Sequence, residues 1–215
     1  MPTPHVTVVH LVRHGEVHNP DRVLYGRLPG FGLSALGHEM AETVATHLAD
    51  HDIVHVAASP LQRALETAGP IADPAGVEIV QDPRVVEANN VFEGQAVGMG
   101  EGLLTKPSLW RWLVNPFKPS WGEPYEQVAH RMMVAIADAR EAARGREVVI
   151  VSHQLPVWTA RCTLEGRRLW HDPRHRQCSL ASLTSLHYIG DDLESIAYSE
   201  PAIHLLGRAA TQAGA

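Results

Sequence analysis

The chain has little cysteine, no long apolar run and no basic excess, and each shortage excludes a class. Cys162 and Cys178 are the only cysteines in 215 residues and form no Cys-x-x-Cys pair, so neither a disulfide scaffold nor a zinc finger is expected. A reducing cytoplasm suits this usage. No apolar stretch approaches the roughly 18 residues of a membrane span, and residues 1–4 lack the charged and apolar regions of a signal peptide. A net charge of −6 leaves no basic footprint for nucleic acid or an anionic membrane, so any anionic ligand must be held by local charges. At this length about 70% of the unfolded chain's surface is buried on folding, and no metal or disulfide staple is required.

What the chain does have is histidine, 14 residues of it. His47 with His51, His51 with His55 and His171 with His175 have spacings that raise a metal hypothesis. His-Glu-x-x-His is absent, however, and the pair 51/55 crosses a predicted strand start, so no metal or cofactor is expected.

Residues 6–12 form a short β-branched run ending at Arg13-His14-Gly15, read as a buried strand. A turn-rich loop with Asn19-Pro20, Gly26, Pro29, Gly30 and Gly32 follows. Leu36, Met40, Val44 and Leu48 recur every four residues after Ser34, one stripe of an amphipathic helix. Residues 53–58 read as a second strand, 61–68 as a helix and 77–80 as a third strand. Residues 94–122 hold Trp110, Trp112, Phe117 and Trp121 with four early glycines, the pattern of a lid-like insertion. Glu123-Pro124 opens a helix with Val128, Met132, Ile136 and Ala139 on one face and Gly145 as its cap. Residues 147–152 are the most clear-cut buried strand, and 155–164 are helical, with Pro156 in the first turn. Late strands are expected at 182–189 and 195–198, with a frayed tail from Gly207. Alternating strands and helices predict one α/β domain over residues 1–215, with a mostly parallel sheet covered by helices on both faces.

Ligands of open α/β sheets bind beyond the carboxyl ends of the strands. Arg13-His14, Ser59 to Arg63 and Ser152-His153 all fall at such ends, so two arginines and two histidines converge on one rim suited to a small anion.

Leu11-Val12-Arg13-His14-Gly15-Glu16 resembles the signature of the histidine phosphatase superfamily, the phosphoglycerate mutase-like phosphatases and mutases. Leu33-Ser34-Ala35-Leu36-Gly37, Ser59-Pro60-Leu61-Gln62-Arg63-Ala64, Glu87 with Phe92-Glu93-Gly94, Gly122-Glu123-Pro124-Tyr125-Glu126 and Val151-Ser152-His153 resemble its further motifs, in family order. The resemblance implies a phosphoglycerate mutase-like fold and a metal-independent phosphatase for a small phosphorylated substrate. It makes His14 the nucleophile that becomes phosphohistidine, Glu87 the proton donor and His153 the second pocket histidine. Arg13 and Arg63 would grip phosphate through bidentate forks, joined by Asn19 and Gln154. A phosphoglycerate mutase-type transferase and a non-catalytic phosphate-binding module are the alternatives, and a homodimer is compatible with either.

The chain departs from the family pattern in three respects. Val17 and His18 stand where Thr or Ser is frequent, Asn19 lies one residue early, and Gln154 follows His153 where glycine is common. Lys106, Lys118, Arg22 and Arg27 are further basic residues that could meet substrate. The aromatics of 94–122 either line a pocket or pack the insertion onto the sheet.

Overall fold

A computed structural model describes residues 5–95, 122–172 and 175–209. Six strands form one sheet: β1 (Val6–Arg13), β2 (Ile53–Ala58), β3 (Ile79–Gln81), β4 (Glu147–Ser152), β5 (Leu183–Ile189) and β6 (Asp192–Ser199). Their order across the sheet is β3-β2-β4-β1-β5-β6. The first four are parallel, and β5 and β6 add an antiparallel edge. The expected mostly parallel α/β architecture is therefore what the chain adopts. Among the described residues no helix is long and apolar enough to cross a membrane.

Strand alternation decides the two cores. Val9, Leu11, Val148 and Ile150 face α3 (Tyr125–Ala142) and α4 (Gln154–Leu164), meeting Val128, Met132, Ile136 and Val157. Val12, Val149 and Val151 face the other way, onto Met40 and Val44 of α1 (Ala35–His47) and Ala64, Ala68 and Ile71 of α2 (Gln62–Ala75). Because both sheet faces are covered, β1 and β4 read as continuous apolar runs. A short α5 (Ile203–Leu206) completes the second core through Leu205.

β3 begins at Ile79, two residues later than expected, and two further boundaries differ by more. Helix α2 runs on to Ala75, past Pro70 and Pro74. Each proline removes one intrahelical donor, but Ile71 and Ala72 are buried against the sheet and hold the helix together. The late strand at 195–198 begins earlier, at Asp192, because β5 and β6 form a hairpin turning at Gly190, which has φ +62°. The aromatics Trp110, Trp112, Phe117 and Trp121, together with Lys106 and Lys118, lie outside the described residues, as does the tail beyond residue 209.

The start of α1 is clamped onto the segment after β1. Ser34 caps the helix by accepting from the Gly37 amide at 3.0 Å, and its hydroxyl donates to the Glu16 carboxylate at 2.5 Å. Its own amide donates to the Glu16 carbonyl at 2.9 Å. The approach depends on glycine, since a Cβ on Gly37 would lie 2.0 Å from that carbonyl oxygen. Gly37→Ala is expected to lower unfolding free energy by about 1–3 kcal/mol, the usual cost of overpacking, as read from urea denaturation.

Candidate active site

The carboxyl ends of β1, β2 and β4 bring the candidate residues to one rim. Arg13 pairs in register with Ser152, and the amide of the next residue, His14, donates to the Ser152 carbonyl at 3.1 Å. The backbone thus sets His14 beside His153, with ring centroids 5.1 Å apart. Arg63 enters from the first turn of α2. Its Nε donates to His14 Nε2 at 3.3 Å, its Nη2 donates to the Gly26 carbonyl at 2.6 Å, and its guanidinium lies 4.7 Å from the Tyr25 ring centroid. His14, Arg63 and His153 are each 0% exposed.

Hydrogen bonding settles the state of His14. Its Nδ1 lies 2.8 Å from the Gly15 carbonyl oxygen, which can only accept, so Nδ1 carries the proton and Nε2 keeps its lone pair. Burial, then the Arg63 and Arg13 charges, hold this imidazole well below its ordinary pKa. A unit charge about 4 Å away at an effective dielectric near 20 is worth roughly 4 kcal/mol, so the protonated ring is strongly disfavoured. His153 is pushed down in the same way, by burial and then by Arg63. Its Nε2 pairs with Ser59 Oγ at 2.8 Å.

Glu87 follows the 3₁₀ turn Pro83–Val85, whose Val85 carbonyl accepts from Ser152 Oγ at 2.7 Å. Oε1 of Glu87 accepts the Ala88 amide at 2.8 Å. Burial raises its pKa above the ordinary carboxylate value, against the lowering pull of Arg63, Arg176 and Arg13. Arg13 donates through Nη1 to the Cys178 carbonyl at 2.7 Å. Three buried polar atoms at this rim, Arg13 Nε, Glu87 Oε2 and His153 Nδ1, have no hydrogen-bond partner among the described residues. Orphans of this kind are uncommon in folded proteins and call for an explanation. An unprotonated imidazole nitrogen, two guanidinium groups and a carboxyl that resists ionisation can together hold an oxyanion, offer it a nucleophile and supply a proton.

Asn19 and Gln154 are placed differently. Asn19 closes its own loop, donating from Nδ2 to the Val23 carbonyl at 2.9 Å and accepting the Val23 amide through Oδ1 at 3.1 Å. Gln154 starts α4 and accepts from Arg176 Nη1 at 3.2 Å. Val17 is buried and bridges to Leu33, which makes it part of the loop's packing. Arg27 braces the acid segment, its Nε donating to the Glu87 carbonyl at 2.6 Å and its Nη2 meeting Glu123 at 2.8 Å.

Sequence reading misses Arg176, whose Nε donates to His171 Nε2 at 2.8 Å and whose charge is felt by Glu87. It reaches the rim from the irregular connection before β5, where no periodicity marks it. Ser59 is read only as part of a motif, not as the partner of His153.

The family model described as histidine phosphatase superfamily (branch 1) matches residues 9–200. The chain belongs to the histidine phosphatase superfamily. Within it, an uncharacterized Mycobacterium tuberculosis protein, Rv0525, is 59% identical over 199 residues, covering 93% of this chain and 98% of its own length. "Probable phosphoglycerate mutase GpmB" of Escherichia fergusonii is 33% identical over 181 residues, covering 80% of this chain and 82% of the relative. The solved structure of mycobacterial glucosyl-3-phosphoglycerate phosphatase Rv2419c superposes with a TM-score of 0.69 at 23% identity, over 90% of this chain and 96% of that one. The curated relatives thus include a mutase name, and the fold is shared with a structure named as a phosphatase.

Both buried histidines are neutral when folded and ordinary when unfolded, so the unfolded chain binds more protons below the unfolded pKa of about 6.5. Their contribution to stability is complete above that pH and is lost as pH falls toward the depressed folded values. Urea unfolding from about pH 7 down to 5 should show declining stability, by up to about 1.4 kcal/mol per pH unit per histidine. The decline should be shallower in His14→Gln, which has one titrating group fewer.

Proposed function

We propose that this chain is a metal-independent phosphomonoesterase working through a phosphohistidine at His14. The observation carrying this reading is the tautomer of His14. With Nδ1 donating to the Gly15 carbonyl, Nε2 presents a lone pair beside Arg63 at 3.3 Å. A phosphomonoester dianion repels nucleophiles until its charge is neutralised, and phosphoryl transfer depends mainly on positioning and charge stabilisation. Arg13 and Arg63 supply planar cationic forks, and His153 Nδ1 donates to a phosphoryl oxygen.

In the first step His14 Nε2 attacks phosphorus, the P–N bond forms and the P–O bond to the leaving group breaks. Glu87, whose pKa burial raises, gives its proton to the departing oxygen. In the second step Glu87, now ionised, takes a proton from water, whose oxygen attacks phosphorus. The P–N bond breaks, inorganic phosphate leaves, and His14 and Glu87 return to their starting states.

Identity to GpmB favours one second reading, a mutase that returns the phosphoryl group to an organic acceptor in place of water. A mutase would show bisphosphate-dependent isomerisation outpacing phosphate release, whereas a phosphatase releases phosphate at every turnover. The substrate is expected to be a small phosphorylated metabolite.

Release of phosphate from an aryl phosphate should persist with a chelator present and fall by about a thousand-fold or more in His14→Ala. Loss of activity on chelation, or a fully active His14→Ala, contradicts the mechanism. Glu87→Gln is expected to lose about 10²–10⁴-fold on alkyl phosphates and much less on aryl phosphates, which need little proton donation. It should also abolish the alkaline limb of the kcat/KM profile; equal losses on both substrates and an unchanged limb would remove Glu87 from the role of acid.

A further inference from the structure

Toward the amino ends of β4 and β2, away from the rim, three side chains with no part in that chemistry bring their donor atoms together. His10 Nε2 lies 2.7 Å from Glu147 Oε2, and His51 Nδ1 lies 2.7 Å from the same oxygen. The three donor atoms all lie within 4.8 Å of one another. The two imidazoles stand edge to face, with centroids 5.3 Å apart and an interplanar angle of 87°, so their nitrogens approach Glu147 from different directions.

The placement is rigid. His10 sits in β1 and Glu147 opens β4, the two strands paired in parallel at the centre of the sheet, and Val8 stands opposite Glu147. His10, two residues on from Val8, projects from the same face as Glu147. His51 comes from the tight turn between α1 and β2, where its amide donates to Leu48 and its carbonyl accepts from Ile53, each at 3.0 Å. Beyond the cluster, the other ring nitrogen of His10 pairs with Ser185 Oγ at 2.8 Å, which fixes the ring's orientation. An outer partner on the far nitrogen is the usual arrangement for a metal-ligating histidine. His51 also lines a cavity of about 230 Å³, together with Asp52 and Arg146.

We infer that His10, His51 and Glu147 form a zinc site. Two imidazoles and one carboxylate are a donor set that zinc takes readily, at about 2.0–2.2 Å per ligand and with water as the fourth. An ion would take the place of the protons that now bridge the imidazoles to Glu147, with the 2.7 Å contacts opening to the wider separations of ligands around one ion. Glu147 and Ser152 stand at the two ends of β4, about 16 Å apart along a strand. The ion would therefore tie β1, β4 and the α1–β2 turn together without reaching His14. This inference is independent of the phosphatase reading, because the site shares no residue with it.

The test is calorimetric titration of chelator-treated, dialysed full-length protein with zinc sulfate, alongside thermal unfolding with and without the metal. One equivalent is expected to bind with a Kd of about micromolar or tighter, and to raise Tm. His51→Ala, a partly exposed position in a turn, should weaken binding by about 100-fold and abolish the Tm rise. Glu147→Gln should do the same, while His130→Ala, an exposed histidine on α3, should leave both unchanged. No saturable equivalent in the wild type, or binding in His51→Ala equal to wild type, overturns the site and leaves a hydrogen-bonded triad without an ion.

Discussion

A buried guanidinium set against a buried imidazole is the contact on which the rest of the rim depends. Arg63 carries its charge into a fully enclosed position, a placement that costs several kcal/mol before compensation. Compensation here is partial. The Gly26 carbonyl, the Tyr25 ring and the field of Glu87 soften the cost, but among the described residues no carboxylate forms an ion pair with it. A dianionic ligand, as proposed, would supply what is missing. Together with burial, the same charge holds His14 below its ordinary pKa, so in the proposed mechanism one residue would prepare both the anion's seat and the attacking nitrogen.

The scaffold exists to hold that unfavourable arrangement. Parallel pairing of β1 with β4 places His14 and His153 side by side through backbone register alone. Thr67, one turn beyond Arg63 in α2, accepts the Gly15 amide at 3.2 Å and donates to the Arg63 carbonyl at 2.7 Å, joining the helix carrying the cation to the segment carrying the imidazole. Glu87 is positioned by Ser152 through Val85, and by Arg27 through its own carbonyl. Removing these supports would loosen the site without touching any group proposed to meet phosphate.

Much of this is legible in sequence, for identifiable reasons. Strands β1 and β4 announce themselves because burial on both faces makes them continuous apolar runs ending in Arg13-His14 and Ser152-His153. Stripe spacing marks α1 and α3 because each packs one face on the sheet. The end of α2 is hidden by Pro70 and Pro74, whose cost is met by tertiary packing that no local pattern reveals. Asn19 has a residue type suited to phosphate, yet its amide is engaged by Val23 in the loop. Arg176 lies in an irregular connection with no pattern to mark it, and His10, His51 and Glu147 are distant in sequence and meet only once β1 and β4 pair and the α1–β2 turn folds beside them.

The most direct measurement is a rapid alkaline quench of wild-type protein turning over a labelled phosphomonoester, followed by mapping of the label. A phosphoramidate bond survives base, so a phosphoryl group on His14, approaching at most one per chain and disappearing as substrate is exhausted, is the result expected. Turnover with no label on the wild-type protein, or equal labelling of His14→Ala, would contradict a phosphohistidine at this position.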